Sequence, residues 1–157
     1  MVNKINYLKG DATAPSAEGI KIIAHICNDI GGWGRGFVLA ISKRWKEPEE
    51  QYRQWYRGKE DFRLGEVRLV QVESHLYVAN MIAQRDVISG SEGPPIRYEA
   101  VGACLHTLAG QAIEMNASVH MPRIGCGLAG GTWDKIEPLI NDTLIKKGVD
   151  VFVYDFE

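Results

Sequence analysis

The feature that most constrains the fold is the alternation of apolar, β-branched runs with amphipathic segments along the chain. The run GIKIIAHICN, residues 19–28, is apolar over most of its length, which is typical of a strand buried at the centre of a sheet. The segments FVLAISKRW and EPEEQYRQWYRG that follow it have apolar residues spaced for helices that pack on such a sheet. Because strands and helices interleave, we predict a three-layer α/β/α fold with a central, largely parallel or mixed sheet.

The same patterns predict where the elements lie. Strands are expected at residues 5–11, 19–28, 65–72, 76–84, 118–122 and 149–156, and helices at residues 37–45, 47–58, 97–116 and 133–148. The most loop-like segment is RDVISGSEGPPI, residues 85–96. No internal repeat or long linker divides the chain, so we expect a single domain over residues 1–157.

Composition excludes several classes of protein. The chain is 45% hydrophobic and 24% charged with a net charge of −2, which excludes a disorder-prone chain and argues against a protein held on nucleic acid by bulk charge. The cysteines Cys27, Cys104 and Cys126 lack paired spacing, which predicts reduced thiols and no zinc site. No window approaches ~18 uninterrupted apolar residues. We therefore expect a soluble, cytoplasmic protein with no membrane partner.

Two glycine-rich segments each follow a predicted strand and precede a predicted helix. They are NDIGGWGRG, residues 28–36, and RIGCGLAGG, residues 123–131. Consecutive backbone amides in such a segment can hold an anion, and the following helix adds its positive end. Two such loops predict a site for a diphosphate, and tight strand–helix connections are the alternative. Neither loop is a Walker motif, and the first strand ends in Gly10-Asp11 without a Rossmann fingerprint.

Several motifs together resemble the macrodomain family. In chain order these are GD after the first strand, AHICND and GGWGRG, ANMIAQRD, SVHMPRIGCGL, and VYDF at the end. The similarity runs over nearly the whole chain. It is greatest to the branch that contains the macrodomain of a chromatin-remodelling helicase and the terminal ADP-ribose protein glycohydrolase. The resemblance implies a cleft above the strand ends that binds ADP-ribose or a derivative, or ADP-ribose attached to a protein, without a metal or cofactor.

The resemblance also implies roles for individual residues. Asp11 would accept a hydrogen bond from the adenine amino group, Tyr154 and Phe156 would pack against the adenine, and Asn28 would touch the distal ribose. The alternatives are a turn aspartate, core aromatics and a strand-end cap, respectively. Trp33 is either a wall for the distal ribose or a lid over the helix. The full implied ligand set is Asp11, Asn28, Gly31, Gly32, Trp33, Gly34, Arg35, Gly36, Gln84, Arg123, Ile124, Gly125, Cys126, Gly127, Leu128, Ala129, Gly130, Tyr154 and Phe156.

The chain departs from the glycohydrolase pattern at the positions that matter for catalysis. That relative uses a lysine in the segment AQRD and an aspartate just after GCGL, where this chain has Gln84, Arg85 and Ala129. A lysine nucleophile is therefore missing, and Arg85 cannot replace it because a guanidinium stays protonated. The chromatin-type relative shares this AQRD character, which favours a non-catalytic reader of ADP-ribose.

Other residues remain as catalytic candidates. His25, Asn28 and Asp29 lie at the end of the second strand, where His25 could serve as an acid or base and Asp29 could orient a water. We predict hydrolysis at the distal ribose of an ADP-ribose derivative, namely a 1″-phosphate, an acetyl ester or a protein-linked ester. A core histidine and a loop aspartate that caps backbone are the alternatives. Cys126 is interpreted as a small packing residue.

Overall fold

A computed structural model of the chain describes residues 3–86 and 93–156. The strands are β1 (Asn6–Lys9), β2 (Lys21–Asn28), β3 (Val67–Glu73), β4 (Leu76–Gln84), β5 (Ser118–Met121) and β6 (Val151–Asp155). The helices are α1 (Phe37–Arg44), α2 (Glu47–Gly58), α3 (Tyr98–Met115) and α4 (Trp133–Ile140). A single 3₁₀ turn spans Gly127–Ala129, and a π-helical turn, Asn141–Ile145, continues α4.

The strands form one sheet in the order β1-β6-β5-β2-β4-β3. Every neighbouring pair is parallel except β3 and β4, which are antiparallel. The predicted largely parallel or mixed sheet is therefore confirmed. The carboxyl ends of five strands meet at one edge of the sheet, and the adjacency of β2 and β5 brings the two glycine loops side by side there.

Two hydrophobic clusters lie on opposite faces of the sheet. One includes Ile22 and Met81 and is covered by α3 and α4, and the other includes Ile23 and Val78 and is covered by α1 and α2. Ile22 and Ile23 are consecutive and fully buried on opposite faces, because successive side chains of a strand point to opposite sides. The predicted three-layer α/β/α architecture is confirmed.

The predicted elements differ from the observed ones mainly at their ends. The helix expected at residues 133–148 is interrupted, since α4 contains Pro138 and passes into the π-helical turn after Ile140. Proline has no N–H to donate to the preceding turn, and its ring crowds the carbonyl there. The predicted loop at residues 85–96 lies partly outside the described residues. None of the described helices combines the length and the hydropathy that crossing a bilayer requires.

Candidate functional site

The first glycine loop, residues 28–36, is shaped by Asn28 at the end of β2. Its Oδ1 accepts hydrogen bonds from the N–H groups of Ile30 at 3.1 Å and Gly32 at 2.9 Å, and its Nδ2 donates to the Gly32 carbonyl at 2.9 Å. The buried Tyr52 hydroxyl lies 2.6 Å from the Asn28 carbonyl oxygen and accepts the Gly31 N–H at 3.1 Å. Asn28 thus caps the strand end, and its contact with a ribose remains a prediction.

This arrangement divides the amides of the first loop into two sets. Those of residues 30–32 point at Asn28 or Tyr52, whereas the N–H groups of residues 33–38 donate to no acceptor among the described residues. The last of these belong to the first turn of α1, which has no side-chain cap. The available donors therefore lie at residues 33–38, after the predicted contacts Gly31 and Gly32.

The second glycine loop, residues 123–131, is held by hydrogen bonds between its own backbone groups. The Gly131 N–H donates to the Gly125 carbonyl at 2.7 Å, and the Gly130 N–H donates to the Gly127 carbonyl at 2.9 Å. The amides of residues 124 and 125 have no acceptor in the part of the chain that the structure describes. Because β2 and β5 are neighbours, these donors and those of the first loop lie at adjoining strand ends.

Four of the loop glycines are required by the protein's own atoms. A Cβ on Gly31 would lie 2.5 Å from the ring of Tyr56, and one on Gly131 would lie far inside van der Waals contact with the Gly125 carbonyl oxygen. Gly125 and Gly130 would likewise meet neighbouring side chains. In contrast, a Cβ on Gly34 or Gly127 would meet no atom within 4 Å, so these two point into open space.

The crowding at Gly131 predicts a loss of stability in Gly131→Ala. The new methyl group must displace a backbone carbonyl that also accepts a hydrogen bond, so we expect the free energy of unfolding to fall by about 2–3 kcal/mol. Urea unfolding of the variant and the wild type would measure this fall in the free energy of unfolding. Gly110→Ala is the control, because Gly110 lies in α3 with open space at its Cβ and gains helix propensity. Equal stability of Gly131→Ala and the wild type would contradict the crowding argument.

A cleft of about 650 Å³ is lined by residues that flank both glycine loops in the chain. Phe37, which begins α1 directly after the first loop, and Pro122, which precedes the second, both line it. Tyr154 forms a buried part of the wall, whereas Phe156 is 80% exposed. The described residues that line it are Gly10, Asp11, Ala12, Thr13, Phe37, Ala40, Lys43, Arg44, Pro122, Tyr154 and Phe156.

His25 does not reach the cleft surface. It is 1% exposed, lies beneath the Trp33 ring at a centroid distance of 5.4 Å, and its Nε2 is 2.5 Å from Oδ1 of Asn80. Burial lowers the pKa of His25 to about 4 despite the hydrogen bond to Asn80, which acts in the opposite direction. A side chain buried to this extent has no surface open to a ligand in the cleft, which fits the core alternative for His25, and its catalytic role remains a prediction.

Two other predicted residues join the ends of β2 and β4. Asp29 is partly exposed, and its Oδ1 accepts the Asp86 N–H at 2.7 Å. Gln84 donates from Nε2 to the Asp86 carbonyl at 2.9 Å. Asp29 therefore caps a backbone N–H group, which is the structural alternative to a catalytic role given above for this residue. The other carboxylate oxygen of Asp29, Oδ2, has no hydrogen-bond partner among the described residues.

The other predicted residues have varied environments. Trp33 is buried and donates from Nε1 to Ser42 of α1 at 2.7 Å, as expected for a lid over the helix. Arg123 makes a bidentate ion pair with Asp155 at 2.6 and 3.0 Å.

Burial raises the pKa of Cys126, which keeps this thiol protonated and fits a packing role. Arg35 is exposed, Ile124 and Ala129 are buried, and the side chain of Leu128 lies outside the described residues.

Sequence reasoning missed three residues that shape the site: Tyr52, Thr13 and Arg44. The available signal for Tyr52 was its place on the apolar face of α2, because a tyrosine buried in that way needs a partner for its hydroxyl. Thr13 and Arg44 carry no local signal, since their contact joins residues 31 apart in the chain.

The fold and the loops define a class of α/β domain whose ligand cleft lies at the carboxyl ends of parallel strands, with unpaired main-chain donors at its edge. Among solved structures, a macrodomain protein from Streptomyces coelicolor is 54% identical, with a TM-score of 0.87 and coverage of 98% of this chain and 100% of that one. The chain belongs to the macrodomain family.

Further comparisons extend this result. A Bacteroides thetaiotaomicron protein of unknown function is 60% identical, with a TM-score of 0.96 and 98% of each chain covered. The mouse chromodomain-helicase-DNA-binding protein 1-like is 34% identical over 97% of this chain, which spans only 18% of that relative's length. A Lodderomyces elongisporus ADP-ribose 1″-phosphate phosphatase is 26% identical, with 96% of this chain and 99% of that protein covered. No family model matches the chain.

Proposed function

We propose that this macrodomain binds the ADP-ribose group, either free or as part of a derivative or a modified protein, in the cleft and across the two glycine loops. The observation that carries the proposal is the set of unpaired main-chain N–H groups at residues 33–38 and at residues 124 and 125, on loops that follow adjacent strands. Such donors stabilise phosphate oxygens without a cationic side chain, and the N-terminus of α1 adds its dipole.

The lining of the cleft suits an adenosine group beside those loops. Asp11 supplies a carboxylate acceptor there, and the N–H of Ala12 next to it donates to no group within the described residues. An acceptor beside a donor complements the amino group and N1 of adenine. Tyr154 and the exposed Phe156 offer aromatic surface for the base. These residue roles are part of the proposal.

For the reaction, we propose hydrolysis at the distal ribose of an ADP-ribose derivative. The Lodderomyces relative is named as an ADP-ribose 1″-phosphate phosphatase, and a human relative that is 23% identical is named as an ADP-ribose glycohydrolase. Asp29 is the candidate that orients the attacking water, because it is partly exposed at the loop end where a second ribose would extend. Positioning of a bound substrate against that water would supply much of the rate.

A non-catalytic reader of ADP-ribose is the competing function, and one observation favours it. His25 is buried, and Asn28 and Asp29 both bind backbone groups of the protein, so the predicted catalytic residues all have structural roles. A reader would retain the loops and the adenine end of the cleft and would need no acid or base.

Calorimetry with ADP-ribose, ADP and AMP tests the binding proposal. We expect ADP-ribose and ADP to bind much more tightly than AMP, because only the first two carry the diphosphate that spans both loops. Equal affinities for ADP and AMP, or no binding of ADP-ribose, would refute the proposed site.

Turnover is tested by phosphorus NMR of ADP-ribose 1″-phosphate and by ester-linked substrates. Asp29→Asn is the informative variant, since the amide oxygen can still accept the Asp86 N–H while the negative charge is lost. Hydrolysis by the wild type that falls about 100-fold in Asp29→Asn, with unchanged ADP-ribose affinity, is the expected result. Binding without product in the wild type would assign the chain to the reader class.

A further inference from the structure

We propose, on the basis of the adenine end of the proposed function, that Arg44 and Thr13 are positioning residues that make the cleft select adenine over hypoxanthine. They act through Asp11, whose carboxylate they hold in one orientation with a single acceptor position open to the cleft.

The geometry links all three side chains in one network. Oδ1 of Asp11 accepts the Thr13 N–H at 2.8 Å and the Thr13 hydroxyl at 2.7 Å. That hydroxyl accepts a hydrogen bond from Nε of Arg44 at 2.7 Å, while Nη2 of Arg44 lies 3.3 Å from Oδ2 of Asp11. Thr13 is 2% exposed, so the anchor of the network is buried even though Asp11 and Arg44 border the cleft.

The network leaves one hydrogen-bond acceptor position of the Asp11 carboxylate open to a ligand. An ionised carboxylate oxygen has about two lone-pair positions, so Oδ1 is filled by Thr13 and Oδ2 keeps one position beside Arg44. One open position fits one N–H donor, such as the exocyclic amino group of adenine. The paired N1–H and N2–H donors of guanine would need both oxygens of the carboxylate.

Hypoxanthine differs from adenine in both of the groups that would face the Asp11 carboxylate and the Ala12 N–H. It has a carbonyl oxygen in place of the amino group, which would be directed at the fixed carboxylate oxygen. It also has N1–H in place of an acceptor, which would be directed at the Ala12 N–H. A carboxylate free to rotate could instead accept the N1–H, so the strength of the selection depends on how firmly Asp11 is held.

The network also keeps Asp11 ionised. Desolvation raises the pKa of Asp11, but the hydrogen bonds from Thr13 and Arg44 together outweigh it and bring the pKa below the ordinary value. A protonated Asp11 would present a donor and lose the distinction between the two bases. Arg44 thus contributes both the orientation of the carboxylate and its charge.

The test compares Arg44→Gln and Thr13→Val with Lys46→Gln. Lys46 is an exposed cation close to Arg44 in the chain, lies outside the cleft lining, and its side chain has no hydrogen bond or ion pair with any described residue. Calorimetry would give the affinities of each variant for ADP-ribose and for its hypoxanthine analogue. The expected result is a wild-type preference for adenine that Thr13→Val reduces, that Arg44→Gln reduces roughly tenfold by loss of a charged hydrogen bond, and that Lys46→Gln leaves unchanged.

A second measurement separates positioning from general damage. The carbon-13 shift of the Asp11 carboxyl, followed against pH, should titrate at higher pH in Arg44→Gln than in the wild type. A wild type that binds both bases equally, or an Arg44→Gln variant that keeps the full preference and the wild-type titration, would overturn this inference alone. A wild type that binds neither nucleotide would overturn the proposed function and this inference with it.

Discussion

Gly127→Ala is expected to weaken ADP-ribose binding about 100-fold. The Cβ direction at Gly127 is open, and the nearby N–H groups of residues 124 and 125 are the unpaired donors of the second loop, so a methyl group there would enter space that a phosphate needs. Loss of two hydrogen bonds to a charged group, at about 1.5 kcal/mol each, corresponds to this change in affinity. Calorimetry with ADP-ribose measures it.

Gly148→Ala is the matched control for this experiment. Gly127 and Gly148 have φ values of 74° and 82°, and neither would bring a Cβ within 4 Å of another atom. Both substitutions should therefore cost the same ~1–2 kcal/mol of stability from a left-handed backbone. Gly148 precedes β6, at the opposite edge of the sheet from the cleft, so only Gly127→Ala should lose affinity. Equal affinities of the two variants would show that the second loop does not hold the ligand.

Asn28→Ala is expected to lower the free energy of unfolding by about 3–4 kcal/mol. The substitution removes the acceptor of the Ile30 and Gly32 N–H groups and the donor to the Gly32 carbonyl. Buried groups left without partners cost about 1–3 kcal/mol each, and relaxation of the loop recovers part of that sum. Urea unfolding measures the loss, and ADP-ribose affinity should fall with it because the loop then no longer directs residues 33–38 outward.

Tyr52→Phe gives a graded comparison with Asn28→Ala. It removes the one hydroxyl that joins Asn28 to the Gly31 N–H, so a loss of about 1–2 kcal/mol is expected. Tyr77→Phe is the control, since the hydroxyl of Tyr77 makes no hydrogen bond to any described residue. The double variant should lose less than the sum of the single losses, because Asn28 and Tyr52 share a bond. Strict additivity would contradict the coupled network.

The fold could be predicted from the sequence because its signals are local. The apolar, β-branched run of residues 19–28 is typical of a buried strand, and the apolar spacing after it suits helices that pack on a sheet. Residues 47–58 and 76–84 match α2 and β4 at both ends. The interruption after Ile140 was missed because a proline inside an amphipathic pattern does not show whether the helix ends or only widens.

The site was only partly predictable, because its geometry depends on contacts between distant residues. Glycine spacing located both loops, but which amides face outward depends on Tyr52 in a later helix. The Asp11–Arg44 pair joins residues 33 positions apart, which no local pattern reveals. For His25, strand periodicity could not distinguish the two faces of the sheet, and the side chain lies on the face covered by Trp33 and Phe37.

The crowded glycines have a consequence for how such chains diverge. Gly31 faces the ring of Tyr56 and Gly130 faces Pro94, which are groups of the protein itself, so folding alone would favour glycine at both positions. A descendant that had abandoned its ligand would still carry most of the motif. A side chain at Gly34 or Gly127 would meet no such crowding, although the left-handed backbone at Gly127 still costs ~1–2 kcal/mol, so substitutions at these two positions are the better marker of lost function across divergent homologues.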